Sequence, residues 1–184
     1  TAEWYPRSGT LLAVELFRRD IKNYVIAFRQ NVDYFNALQN RITTYNVSQP
    51  INGAKATVNG VLVSGQAEIW GGFGLQANYS YQDSSTSSVD VTGTTLNLPY
   101  LSKHTVNVIP YFEKGPFQAR VSYNYRTSYF RTIGRLGSRE MVAPYNQLDA
   151  SASLNLLDGV VLSVNAQNLL DETYRQYNAT PDRP

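Results

Sequence analysis

Few residues of this chain could do chemistry, and their types narrow what that chemistry is. There is no cysteine and a single histidine, His104. Thiolate nucleophiles, disulfides and thiolate metal sites are therefore excluded. A histidine-rich metal centre or a Ser/His/Asp triad lacks the groups to form. With no nucleophile–base pair and no metal-ligand spacing, an enzyme is not expected, and no cofactor is implied. The one concentrated cluster is RTSYFRTIGRLGSRE, in which Arg126, Arg131, Arg135 and Arg139 enclose Tyr129 and Phe130. Guanidinium groups grip carboxylates or phosphates in bidentate fashion, and aromatic rings stack on sugar faces. Such a cluster suits binding an anion or a sugar, bridging phosphates, or simply solvating a loop.

The cluster begins where a strand ends. In FQARVSYNYRT, Phe117, Ala119, Val121, Tyr123 and Tyr125 share one parity, while Gln118, Arg120, Ser122, Asn124 and Arg126 share the other. Successive strand side chains point to opposite faces, so one face is apolar and the other polar. GFGLQANYSYQ, NQLDASASLNL and VVLSVNAQ keep the same pattern, the second placing Gln147 and Asp149 on the polar parity. Stretches near Leu11 to Phe28, Val58 to Trp70 and Thr105 to Phe112 alternate less cleanly.

Tight Gly-bearing turns at PRSGT, WGGF, EKGPF and LLDGV separate these strands in pairs. Between them lie longer polar connections at about 29–55, 84–102 and 130–144, and a tail from Asp171. Short turns alternating with long loops describe an up-and-down antiparallel meander of about eight strands, with no helix.

Alternation alone does not separate a soluble sandwich from a membrane barrel. Composition tilts the balance: charged residues are 16%, below the roughly 25% of soluble domains, and 14 tyrosines fill much of the apolar quota. The apolar face is rich in alanine and tyrosine rather than large branched side chains, which a dry core would favour. Phe73 and Tyr81, like Phe117 and Tyr125, are eight residues apart on one strand. At about 3.3 Å per residue and a tilt near 40° this projects to roughly 20 Å, close to the apolar band bounded by aromatic girdles. Trp4, Tyr5, Trp70 and Phe112 gather at the tight-turn ends. A net charge of +2 gives no field that would attract nucleic acid, and no nucleic-acid motif is present.

EWYPRSGTLLAVELFRRDIKNYV, LPYLSKHTVNVIPYFEKGPFQARVSYNYR and YNQLDASASLNLLDGVVLSVNAQNLLDETY together resemble the C-terminal barrel segment of TonB-dependent outer-membrane receptors. They look most like the branch abundant in Xanthomonas- and Caulobacter-type proteobacteria. The resemblance implies an all-β fold: about eight strands of a 22-stranded transmembrane barrel, residues 1–184 being its C-terminal part. The plug, the TonB box and the last strand are expected to lie outside the chain.

It further implies active uptake, across the outer membrane of a Gram-negative bacterium, of a scarce carbohydrate or ferric siderophore. The implied partners are that ligand, the TonB complex through the plug, and outer-membrane lipid or lipopolysaccharide. The arginine cluster would then be extracellular, with Arg126, Tyr129, Phe130, Arg131, Arg135 and Arg139 as ligand contacts. Gln118, Arg120, Asn124, Gln147 and Asp149 would face the lumen. Asn168 and Asp171 in NLLDETY are expected to cap a strand end, and His104 to be solvated or capping. The resemblance implies a Glu after the Gly of this strand, where this chain instead reads Gly60, Val61, Leu62, so a lumen contact of that Glu is not expected here. Two other readings stay open: a small structural or adhesive barrel, and a soluble β-sandwich binding domain.

Overall fold

The computed structural model describes residues 1–88, 93–134 and 138–179, without the side chains of residues 26–29, 48, 51 and 53. The strands are β1 (Ala2–Arg7), β2 (Thr10–Asn36), β3 (Arg41–Trp70), β4 (Phe73–Thr86), β5 (His104–Lys114), β6 (Phe117–Arg126), β7 (Tyr129–Ile133), β8 (Arg139–Val142), β9 (Tyr145–Leu157), β10 (Val160–Ala166) and β11 (Gln176–Ala179). Eight form one antiparallel sheet in the order β1-β2-β3-β4-β5-β6-β9-β10, and β11-β8-β7 form a second, three-stranded one. Strand order thus repeats chain order, and no register joins β10 to β1 among the described residues.

Tight turns fall at one end of the large sheet. At Gly71-Gly72 both residues have positive φ, 64° and 99°, and a Cβ on Gly72 would meet the Glu113 carbonyl oxygen at 2.5 Å, so the hairpin admits little else there. The opposite end is elaborated. The polar stretch expected as a loop at 29–55 is instead a continuation of β2 and β3, paired out to Asn36↔Arg41. Its pairs include Asn46 Nδ2 donating to Asn31 Oδ1 at 3.0 Å and Thr44 Oγ1 donating to Asp33 at 2.6 Å. A membrane crossing needs about 9–11 strand residues; β2 has 27 and β3 has 30, so this ribbon projects far beyond the sheet. The 130–144 connection likewise holds a β7–β8 hairpin, and the tail supplies β11.

The two faces follow the sequence parity. Cross-strand registry puts Leu12, Gly65, Ala77, Val108, Tyr123 and Leu148 on one face. The next row, on the other face, reads Ala13, Ser64, Asn78, Asn107, Asn124 and Gln147 across six strands. No second layer covers the apolar face among the described residues: Leu16 is 72% exposed and Val164 65%. On the apolar face, Phe73, Phe112 and Phe117 pack in tilted contacts at 4.6 and 5.9 Å near the tight turns. Toward the other end the His104 ring lies against Tyr79 and Tyr81 at 6.1 and 5.2 Å, its Nδ1 2.8 Å from the Tyr79 hydroxyl. His104 is therefore part of the aromatic band rather than a solvated cap.

Buried apolar residues occur only at the loop end among the described residues. Ala54, Ala56 and Val58 of β3 are buried, as is Leu96 of the β4–β5 loop; Phe130, Val142 and Ala179 are buried in the small sheet. That loop is pinned to the polar face: the Thr86 amide donates to Leu96 O at 3.1 Å, and the Leu98 amide to Ser84 Oγ at 3.0 Å.

Candidate functional site

Arg126 is the last residue of β6, opposite Thr105 on one side and Tyr145 on the other. Polar-face parity turns its guanidinium toward the folded-in loops. Three rings surround it: Tyr129, Tyr145 and Tyr174, with centroids 4.8, 5.4 and 5.8 Å from its Cζ. Each such contact stabilises a cation by about 0.5–1 kcal/mol when exposed and about 2 when desolvated. Tyr129 and Tyr174 touch through their hydroxyls at 3.3 Å, which with burial raises the Tyr129 hydroxyl above its ordinary pKa. A fourth ring, Tyr100, packs 6.1 Å from Tyr129, while the Tyr100 amide donates to Phe130 O at 2.8 Å. One nitrogen of the cage, Arg126 Nη1, is buried with no hydrogen-bond partner among the described residues.

The arginines of the cluster separate. Arg131 Nη1 donates to Glu140 Oε2 at 3.1 Å and Gln176 Oε1 at 2.9 Å, tying β7, β8 and β11 together. Arg139 stands between Ile133 and Ala179 in that sheet, Phe130 is 7% exposed within it, and Arg135 lies outside the described residues. Arg126 and Tyr129 are thus in the cage, while Arg131 and Phe130 hold the scaffold behind it.

The polar-face residues are also dispersed. Asn124 accepts from Asn107 Nδ2 at 2.5 Å and donates to Ser122 Oγ at 3.1 Å. Gln147 Nε2 donates to both Asp149 oxygens at 3.0 and 2.9 Å, and Asp149 also accepts the Asn168 amide at 2.8 Å. Asn168 in turn brackets Glu172, its Oδ1 accepting from the amide at 3.0 Å and its Nδ2 donating to the carbonyl at 3.2 Å. These bonds lash the NLLDE turn to β9, which carries Tyr174 to the cage. Gln118 and Arg120 lie near the tight-turn end, Arg120 reaching Glu113 at 3.7 Å beside a concavity of about 280 Å³. Eight residues separate Gln118 from Arg126, about 26 Å along a strand.

Tyr145, Tyr174 and Tyr100 complete the cage although no sequence motif marks them as part of it. Tyr145 was within reach: once β6 and β9 are registered it must sit opposite Arg126. Tyr174 and Tyr100 arrive by loop paths that periodicity does not encode.

Comparison with known proteins fits this architecture. No curated protein matches the chain. Among solved structures, the ferric-catecholate import receptor Fiu from E. coli K12 is similar with a TM-score of 0.67 at 20% identity, over 94% of this chain and 22% of that one. The siderophore receptors PiuA and PirA from Acinetobacter baumannii follow at TM-scores of 0.65 and 0.60, both at 18% identity. They match over 96% and 92% of this chain and 25% and 26% of theirs. The chain therefore spans about a quarter of the length of these receptors. The comparisons favour no branch within the family. Residues 1–169 match the family described as TonB dependent receptor-like, beta-barrel, and the chain belongs to that family.

Proposed function

We propose that this chain is the C-terminal arc of the barrel of an outer-membrane receptor that takes up a scarce ligand in a TonB-dependent manner. The observation that carries the reading is the single-layered sheet with one bare apolar face and one polar face. A soluble sandwich buries its apolar faces against each other, whereas lipid covers such a face without a second layer. A small closed barrel is disfavoured because no register joins β1 to β10 among the described residues, and hydrocarbon does not tolerate open edges. Further strands, a plug and a TonB box belong to the whole receptor in this reading.

The polar face lines the lumen and the cage around Arg126 stands at its extracellular mouth. A buried donor without an acceptor is costly, and an oxygen of an anionic ligand satisfies Nη1 while tyrosine rings flank it. This favours an anionic ligand, such as a ferric siderophore or an acidic sugar, over a neutral one. The tyrosine faces suit a sugar or aromatic ring equally well.

The test uses the whole receptor in its source bacterium. Deleting it should reduce uptake of one ferric siderophore or acidic carbohydrate, and loss of TonB should reduce that uptake equally. Arg126→Gln should weaken binding of that ligand about 10- to 100-fold, the size of a charge-assisted hydrogen bond of about 1.5–3 kcal/mol. Unchanged uptake of both ligand classes after deletion sinks the proposal.

A further inference from the structure

We infer that the outward face at the base of the β2–β3 ribbon binds phosphate groups of outer-leaflet lipopolysaccharide through Lys22 and Lys55. The inference rests on the outer-membrane reading above but concerns the opposite face from the ligand cage.

Lys22 and Lys55 are directly opposite one another in the β2–β3 register. Like charges so placed destabilise a sheet unless a counter-charge lies between them. The face they occupy is fixed by β3 alternation: Ala54, Ala56 and Val58 are buried on the lumenal side, and the parity of Lys55 continues through Thr57 and Asn59 into Val61 and Val63 of the apolar face. Both lysines therefore point away from the lumen.

The protein's own carboxylates on this face are committed elsewhere. Asp20 accepts from Thr57 Oγ1 at 2.9 Å and pairs with Arg18 at 3.4 Å. Asp83 pairs with Lys103 at 3.2 Å, whose ammonium also lies 5.6 Å from the Tyr81 ring centroid. Lys22 acts on Asp20 only at a distance, and neither it nor Lys55 forms a hydrogen bond or ion pair through its side chain among the described residues. Four cations thus face two engaged carboxylates.

Height selects the occupant. Val61 is paired with Tyr81 of the upper aromatic band, and Lys55 lies six residues further along β3. At about 3.3 Å per residue and a tilt near 40° the two lysines stand roughly 15 Å above that band. That level is outside the hydrocarbon and within the sugar-phosphate layer of lipopolysaccharide. Arg18, opposite Asn59, lies two residues above the band and falls nearer the innermost phosphates. Ordinary phospholipid carries no phosphate so far out.

The experiment compares the whole receptor, extracted from outer membranes in mild detergent, with its Lys22→Gln/Lys55→Gln variant, measuring lipopolysaccharide retained per barrel by native mass spectrometry. Arg19→Gln, on the lumenal parity, is the control. The expected result is a loss of at least threefold in the double variant, no change in the control, and retention in Lys22→Arg/Lys55→Arg. Equal retention in the glutamine variant overturns the inference, as does displacement of lipopolysaccharide from these lysines by inorganic phosphate at equal concentration, which would mark a free-anion site. Fractionation separates this outcome from failure of the functional reading: a receptor absent from outer membranes refutes the reading, whereas one present there with lysine-independent lipopolysaccharide refutes the inference alone.

Discussion

At the scale of the residue, one guanidinium organises the loop end. Arg126 gathers Tyr129, Tyr145 and Tyr174 from three separate segments, and among the described residues its charge is stabilised by ring faces rather than by a carboxylate. The hydroxyl contact between Tyr129 and Tyr174 is a reporter of that assembly. Because the Tyr129 pKa is raised above 10.0 on folding, the contact stabilises the fold fully below pH 10.0 and is lost as pH rises through the elevated value. Tyr174→Phe should bring the Tyr129 titration down toward its ordinary position, read by ultraviolet difference titration against Tyr129→Phe. No movement would mean the two rings are not in contact. Two of the five residues of this cage are legible in the sequence. Arg126 and Tyr129 stood out because they are close in the chain, whereas Tyr145 and Tyr174 come near only through the β6–β9 register and the Asn168-braced turn.

At the scale of the element, the strands whose two faces differ were read from the sequence, and those without such a difference were not. β4, β6, β9 and β10 alternate because one side must meet an apolar medium. The upper ribbon of β2 and β3 has no such requirement. Its strands are held by main-chain pairing and short amide and hydroxyl bonds, so RQNVDYFNALQNRITTYNVSQPINGAK reads as loop. β5 was partly obscured by Pro110, which lacks an N–H and falls where the ladder to β6 is interrupted between Val108↔Tyr123 and Tyr111↔Arg120. Its neighbour Tyr111 compensates by lying over Gly74, its partner on β4, where a Cβ would collide with the ring. Gly74→Ala should therefore destabilise the barrel by about 1–3 kcal/mol, the range for overpacking. Gly74→Ala/Tyr111→Leu should recover most of it, measured by urea unfolding of the whole receptor in lipid vesicles. An undiminished loss in the double variant would show that the ring is not the obstacle.

At the scale of the whole molecule, an open eight-stranded sheet needs neighbours on both sides. β1 offers one edge and β10 the other, and in lipid each unpaired backbone group costs several kcal/mol. The native species extracted from its source membrane, detected with an antibody against the 130–144 loop, should have a mass several times the 20.6 kDa of these 184 residues. A native species near 20 kDa would instead favour a small barrel or a soluble sandwich, to be separated by solubility without detergent. Within the large sheet each strand pairs with its neighbours in the chain, and the departures are the β7–β8 excursion between β6 and β9 and the return of β11 to β8. Within that sheet, adding or deleting a hairpin would therefore disturb only the strands flanking it, which makes the hairpin the unit exchanged with least loss of pairing. Exchange at the tight turns would transplant a pair of strands together with the loop they carry, so a new recognition surface could be acquired without redesigning the wall that bears it.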